Sequence, residues 1–187
     1  MGLNSLPVLP LVLLLSGLPL LQACTSGQSA PTLSKLKQAS YTGIDVGDLT
    51  LTDGNWQGQP YSDSSPVAPI AGLAEDFYLH ADLDGDQAEE AVVLIWSSAG
   101  GTGSNSYLAV MDRHDGKIRN LSTALIGDRV KLQSALIDKQ KVVLHVLQAA
   151  ADDPMCCPTQ LATRTWTLEN RQLIEAAPVV TGKLPAE

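Results

Sequence analysis

From Tyr41 onward, apolar residues recur mostly at every second position, and helical stretches are scarce. Successive strand residues point to opposite faces, so this period calls for sheets with one dry face. DLTLT (48–52) and FYLHADL (77–83) alternate in this way, whereas AVVLIW (91–96) is apolar on both faces and reads as a central strand, followed by SYLAVM (106–111). VKLQSALI (130–137) and KVVLHVLQ (141–148) flank a short polar DKQ and predict a hairpin. In LATRTWTLE (161–169), Ala162, Arg164, Trp166 and Leu168 share one face, and Thr163, Thr165 and Thr167 form a row suited to solvent on the other. The expectation is a mainly β fold. It would be one antiparallel domain over residues 41–187, a sandwich or open barrel, loop-rich around GNWQGQPYSDSSPVAP (54–69) and without an internal repeat.

The first 23 residues are of another kind. Residues 3–21, LNSLPVLPLVLLLSGLPLL, carry no charge and lead into LQAC, with small Ala23 just before Cys24. That pattern is a lipobox, where cleavage leaves a cysteine acylated with diacylglycerol and palmitate. A transmembrane anchor is the competing reading. Pro7, Pro10, Gly17 and Pro19 oppose it by breaking helix hydrogen bonds, and the continuous apolar part falls short of the roughly 20 residues a span needs. The start MGLNS departs from the pattern in lacking Lys or Arg, as does Gln22 in the lipobox. Leu6 stands where N-myristoylation requires Ser or Thr. The expected organisation is a signal peptide over 1–23, then lipidated Cys24 opening a flexible tether over 24–40 in which Leu33 and Leu36 allow a short helix. Localisation follows as the bacterial cell envelope. Thr25, in place of the aspartate associated with inner-membrane retention, points to the outer membrane facing the periplasm.

With 12 Lys and Arg against 20 Asp and Glu, the net charge is −8. This balance argues against nucleic-acid binding and against electrostatic attachment to anionic lipids, both of which need clustered basic residues. The membrane partner would be reached through lipid. A protein or small-molecule partner is not specified.

The most chemically suggestive stretch is ADLDGDQAEEAVVLIW (81–96). Counted from Asp82, carboxylates fall at positions 1, 3, 5 and 9, as Asp82, Asp84, Asp86 and Glu90, with Gly85 for the bend. Calcium takes six to eight hard oxygens, and alternate side chains of a tightly curled loop converge on one centre, where the Ala88 carbonyl could join them. An EF-hand is excluded because position 12 is Val93 and the flanks read as strands. A solvated acidic turn is the alternative. His80, just before the loop, reads as structural.

A second unusual stretch is DDPMCCPTQ (152–160). Adjacent Cα atoms lie about 3.8 Å apart, below the usual disulfide range, so a bond between Cys156 and Cys157 is strained but open to an exported protein. Free thiols, a reactive redox pair, and a soft-metal site with Met155 remain alternatives.

The acidic loop resembles the D-x-D-x-D-x-x-x-[DE] calcium loops of FG-GAP and integrin-type β repeats, except that Gln87 stands where glycine is usual. Together DLDGDQAEEAVVLIW (82–96), GGTGS (100–104), GDRVKLQS (127–134) and DPMCCPTQ (153–160) resemble a family of bacterial secreted proteins and lipoproteins without an assigned activity. That resemblance implies export and a compact β-rich domain, and carries over no catalytic residue. GGTGS lacks the GK[ST] ending of a nucleotide loop and reads as a hairpin connection. His80, His114 and His145 sit in neither HExxH nor GxSxG, and a Cys/His nucleophile would need His114 or His145 to reach Cys156 or Cys157. The expected function is an envelope-anchored lipoprotein whose calcium-stabilised β module binds or supports without catalysis. The alternative is a periplasmic thiol-based redox or soft-metal-binding protein.

Overall fold

The structure, a computed structural model, describes residues 2, 27–64, 66–154 and 156–185. The signal peptide, Cys24 and Met155 lie outside the described residues. The fold is mainly β, as the alternation predicts. Among the described residues, twelve strands follow one helical turn, α1 (Leu33–Leu36): β1 (Ser40–Tyr41), β2 (Leu49–Thr50), β3 (Asn55–Gln57), β4 (Ile70–Ala81), β5 (Glu90–Ser98), β6 (Asn105–His114), β7 (Lys117–Asp128), β8 (Lys131–Asp138), β9 (Lys141–Gln148), β10 (Gln160–Glu169), β11 (Gln172–Glu175) and β12 (Val179–Lys183).

All strand pairs are antiparallel. One sheet has the order β3-β4-β5-β6-β7. The second runs β11-β10-β9-β8, and β12 joins the same edge of β10 as β11. The two share that edge because Pro178, which has no N–H to donate, falls between them. β11 then pairs Trp166 to Glu169, and β12 pairs Gln160 to Thr163.

AVVLIW is apolar on both faces because both are covered. Ala91, Val93 and Ile95 join a cluster with Leu36, Tyr41, Ile44 and Leu51. Val92 joins the other cluster, with Val142, Leu144, Val146 and Trp166 of the second sheet. The middle sheet is thus packed between its partner sheet and the N-terminal segment, an unusual double burial for an antiparallel sheet.

This packing corrects the expected tether. From Ala30 onward the segment packs on the domain through Ala30, Leu36, Ala39 and Tyr41: Leu36 and Tyr41 are fully buried, and the Tyr41 hydroxyl donates to the Leu36 carbonyl at 3.0 Å. The few apolar side chains of 30–51 find a continuous apolar sheet face, and burying each contributes about 1.5–3 kcal/mol. The short helix allowed by Leu33 and Leu36 is present as α1.

Four hairpins close through two-residue turns with positive φ at both positions: Asp53–Gly54, Asp115–Gly116, Lys139–Gln140 and Asn170–Arg171. Such turns match the right-handed twist of their strands. Antiparallel pairing places the 82–89 loop and the 115–116 turn at one end of the first sheet, and the 99–104 loop at the other.

Candidate metal centre and cysteine pair

The acidic loop joins β4 to β5 at the neck where Ala81 pairs with Glu90. Its backbone curls through side-chain acceptors. Asp82 accepts from the Gly85 N–H through Oδ1 at 2.7 Å and from the Gln87 N–H through Oδ2 at 3.1 Å. Asp84 Oδ1 accepts from Asp86 N–H at 3.2 Å, and Asp86 Oδ1 from Ala88 N–H at 2.7 Å. Gly85 adopts a φ of 83°, which glycine takes without penalty, but Gln87 takes 72°, the left-handed conformation that its side chain opposes. Position 6 therefore keeps the backbone shape a glycine would supply.

The outcome is a close group of carboxylates. One oxygen from each of Asp82, Asp84 and Asp86 lies within 4.8 Å of the others, so the three could hold a metal ion. Among the described residues, no Lys, Arg or His forms an ion pair with any of them. Glu90 is outside this close group. Its carboxyl is 1% exposed and accepts the Leu83 N–H through Oε2 at 2.8 Å, tying the two ends of the loop together. Burial first, then repulsion from Asp84, Asp86 and Asp82, pushes Glu90 up to about 7 against the single opposing Leu83 bond. Asp84 is raised as well, by burial first and by its acidic neighbours Asp86, Asp82 and Asp112. Ala88, expected to lend a carbonyl, is held by its N–H.

Two supports of the loop were not legible in the sequence. Gln140, in the β8–β9 turn, donates through Nε2 to the Asp82 carbonyl at 3.3 Å. Gln28 accepts from Glu89 N–H at 2.8 Å through its carbonyl and donates through Nε2 to the Arg113 carbonyl at 2.5 Å. Gly27 passes so close that an added Cβ would collide with the Gln87 carbonyl.

Cys156 and Cys157 place their sulfurs in bonding contact, with Cα atoms 3.8 Å apart. Cys156 is exposed and Cys157 half-buried. Their loop is organised by Asp153, which accepts from the Ala150 and Thr159 N–H groups at 2.8 and 2.7 Å and from the Thr159 hydroxyl at 2.7 Å. These bonds hold its carboxyl below the usual range. Beside the pair runs an open groove of about 540 Å³, lined also by Lys131, Leu147, Pro158, Thr159, Leu184 and Pro185.

Each histidine has a partner other than the cysteines. His145 Nδ1 meets the Thr163 hydroxyl at 3.0 Å, His114 pairs with Asp115 at the acidic-loop end, and His80 Nδ1 meets Glu89 at 3.1 Å. GGTGS does connect two strands. It is pinned by Asp128, which accepts from Ser104 N–H at 2.9 Å, and by Arg129 N–H donating to the Ser104 carbonyl at 2.8 Å.

No helix among the described residues is long and apolar enough to cross a membrane. Comparison of the chain with protein-family models, with curated proteins and with solved structures finds no match.

Proposed function

We propose that the chain is an exported lipoprotein, anchored through acylated Cys24, whose β-rich domain binds or supports another envelope component and is stabilised by one calcium ion at Asp82, Asp84 and Asp86. The observation that carries the calcium reading is the convergence of three carboxylates without a basic partner among the described residues. Like charges at this separation raise one another's affinity for protons, and a divalent cation removes that repulsion. Calcium suits the group better than magnesium because it accepts irregular oxygen sets, with water or Glu90 completing the shell. Exported modules meet abundant calcium. At a dissociation constant of about 0.1 mM and about 1 mM calcium, binding adds roughly 1.4 kcal/mol of stability.

The test is the melting temperature in calcium, magnesium and chelator. Calcium should raise it, magnesium should do so weakly, and Asp84→Ala with Asp86→Ala should abolish the calcium-dependent part. An equal rise in the double variant would remove the site from this loop. For the anchor, Cys24→Ser should abolish lipid labelling and membrane retention, and retention through an uncleaved N-terminus would overturn the lipoprotein reading.

A second reading rests on the exposure of Cys156 beside the groove. A disulfide of adjacent cysteines there could exchange with an external thiol, in which case the domain acts in redox chemistry. Two alkylatable thiols in protein isolated without reductant would favour that reading over a structural bond.

A further inference from the structure

We propose that the end of the sandwich carrying the acidic loop lies against the lipid headgroups, and that the opposite end, with Cys156 and Cys157, points away from the membrane. This rests on acylation of Cys24 and gives that anchor a direction.

Cys24 and Gly27 are three residues apart. A fully extended chain covers at most about 3.6 Å per residue, so the acylated backbone sits within about 11 Å of Gly27 whatever path it takes. Gly27 passes against the Gln87 carbonyl, where an added Cβ would collide. The next residue clamps two neighbouring segments at that end, receiving the Glu89 N–H and donating to the Arg113 carbonyl. The lipid is therefore held close to the acidic loop itself.

The strands carry the other end away. β5 begins at Glu90, in the neck of the loop, and runs nine residues to Ser98, about 30 Å at about 3.3 Å per residue. β9 begins at Lys141, beside the Gln140 that bonds Asp82, and ends at Gln148, where the chain enters the cysteine loop. The surface next to the headgroups is then the 82–89 loop with the 115–116 and 139–140 turns. It carries Asp82, Asp84, Asp86, Glu89 and Asp115 alongside Lys117 and Lys139. The groove beside Cys156 and Cys157 opens at the far end, accessible to a partner in the surrounding compartment.

Energy transfer in vesicles tests the orientation. The full, acylated chain is reconstituted in phosphatidylethanolamine–phosphatidylglycerol vesicles bearing a headgroup-linked acceptor. The donor is a fluorescent non-canonical residue in place of Lys117, next to the 115–116 turn, or of Gly101, around which there is open space. Transfer should be higher from position 117 by about twofold or more, given an end-to-end distance of about 30 Å. A flexible Gly-Ser insertion of about 60 residues between Thr25 and Ser26 should leave the protein on the vesicles and erase the difference, because its r.m.s. span of about 40 Å exceeds the length of the domain. Equal transfer from the two positions in vesicle-bound protein, higher transfer from 101, or a difference that survives the insertion would overturn the orientation. A chain that carries no acyl mass and does not float with vesicles would overturn the anchor instead, and the orientation with it.

Discussion

Glu90→Gln removes a charge that the fold holds at a cost. The carboxyl is 1% exposed, has the Leu83 N–H at 2.8 Å on one oxygen, and faces three aspartates. Burial and that repulsion push it from 4.5 to about 7. The native state therefore holds the Glu90 proton more tightly than the unfolded chain does. Its contribution to stability is fully present below pH 4.5 and is lost as pH rises through about 7. At about 1.4 kcal/mol per pH unit, the loss amounts to about 3 kcal/mol. Glutamine keeps the side-chain size and an oxygen for the Leu83 N–H but carries no charge. In chelator, Glu90→Gln should be more stable than wild type by about 2–3 kcal/mol at pH 8 and equal to it at pH 4. Urea unfolding at the two pH values, with the slope unchanged, reads the difference from the midpoints. Saturating calcium should shrink the advantage at pH 8, since the cation offsets the same repulsion. A variant no more stable at pH 8, or equally improved at both pH values, would refute the reasoning.

Three further outcomes follow from individual residues. Gln87→Gly should stabilise the domain by about 0.5–1 kcal/mol, because position 87 holds a left-handed φ of 72°; chemical denaturation measures it, and a loss would mean that the glutamine side chain has an unrecognised role. Leu36→Ala should cost about 2–5 kcal/mol, as expected for a fully buried leucine and not for a residue in a tether; an unchanged unfolding midpoint would restore the tether. Reducing Cys156–Cys157 should perturb amide signals between Ala150 and Thr159 while barely moving the global midpoint, because closing so small a ring removes little loop entropy from the unfolded chain; a drop of several degrees would contradict this.

The parts of the fold legible in the sequence are those whose local pattern survives packing. AVVLIW announced a central strand because both of its faces are covered, and the β8–β9 hairpin because two alternating runs flank a short polar turn. The first half of β4 was hidden by a bulge between Leu73 and Tyr78, which shifts the alternation so that Leu73 and Tyr78 both serve the same cluster. β7 gave no clear signal: its register slips twice against β6, and polar Asn120, Ser122 and Thr123 lie half-buried within it. The N-terminal segment reads as a tether because small polar residues surround Leu33, Leu36 and Tyr41; only the apolar sheet face opposite gives those side chains somewhere to go. At the site, spacing alone identified Asp82, Asp84 and Asp86. Gln28 and Gln140 were invisible, since each reaches the loop across a tertiary contact of 50 or more residues.

The most direct test of the account is calorimetric titration of calcium into chelator-treated residues 25–187. One ion per chain should bind with a dissociation constant of about 0.1–1 mM, in the range of extracellular calcium modules, and the heat should vanish in Asp84→Ala with Asp86→Ala. Absence of any binding heat at about 5 mM calcium, well above that range, would contradict it and leave the loop as an acidic turn between two strands.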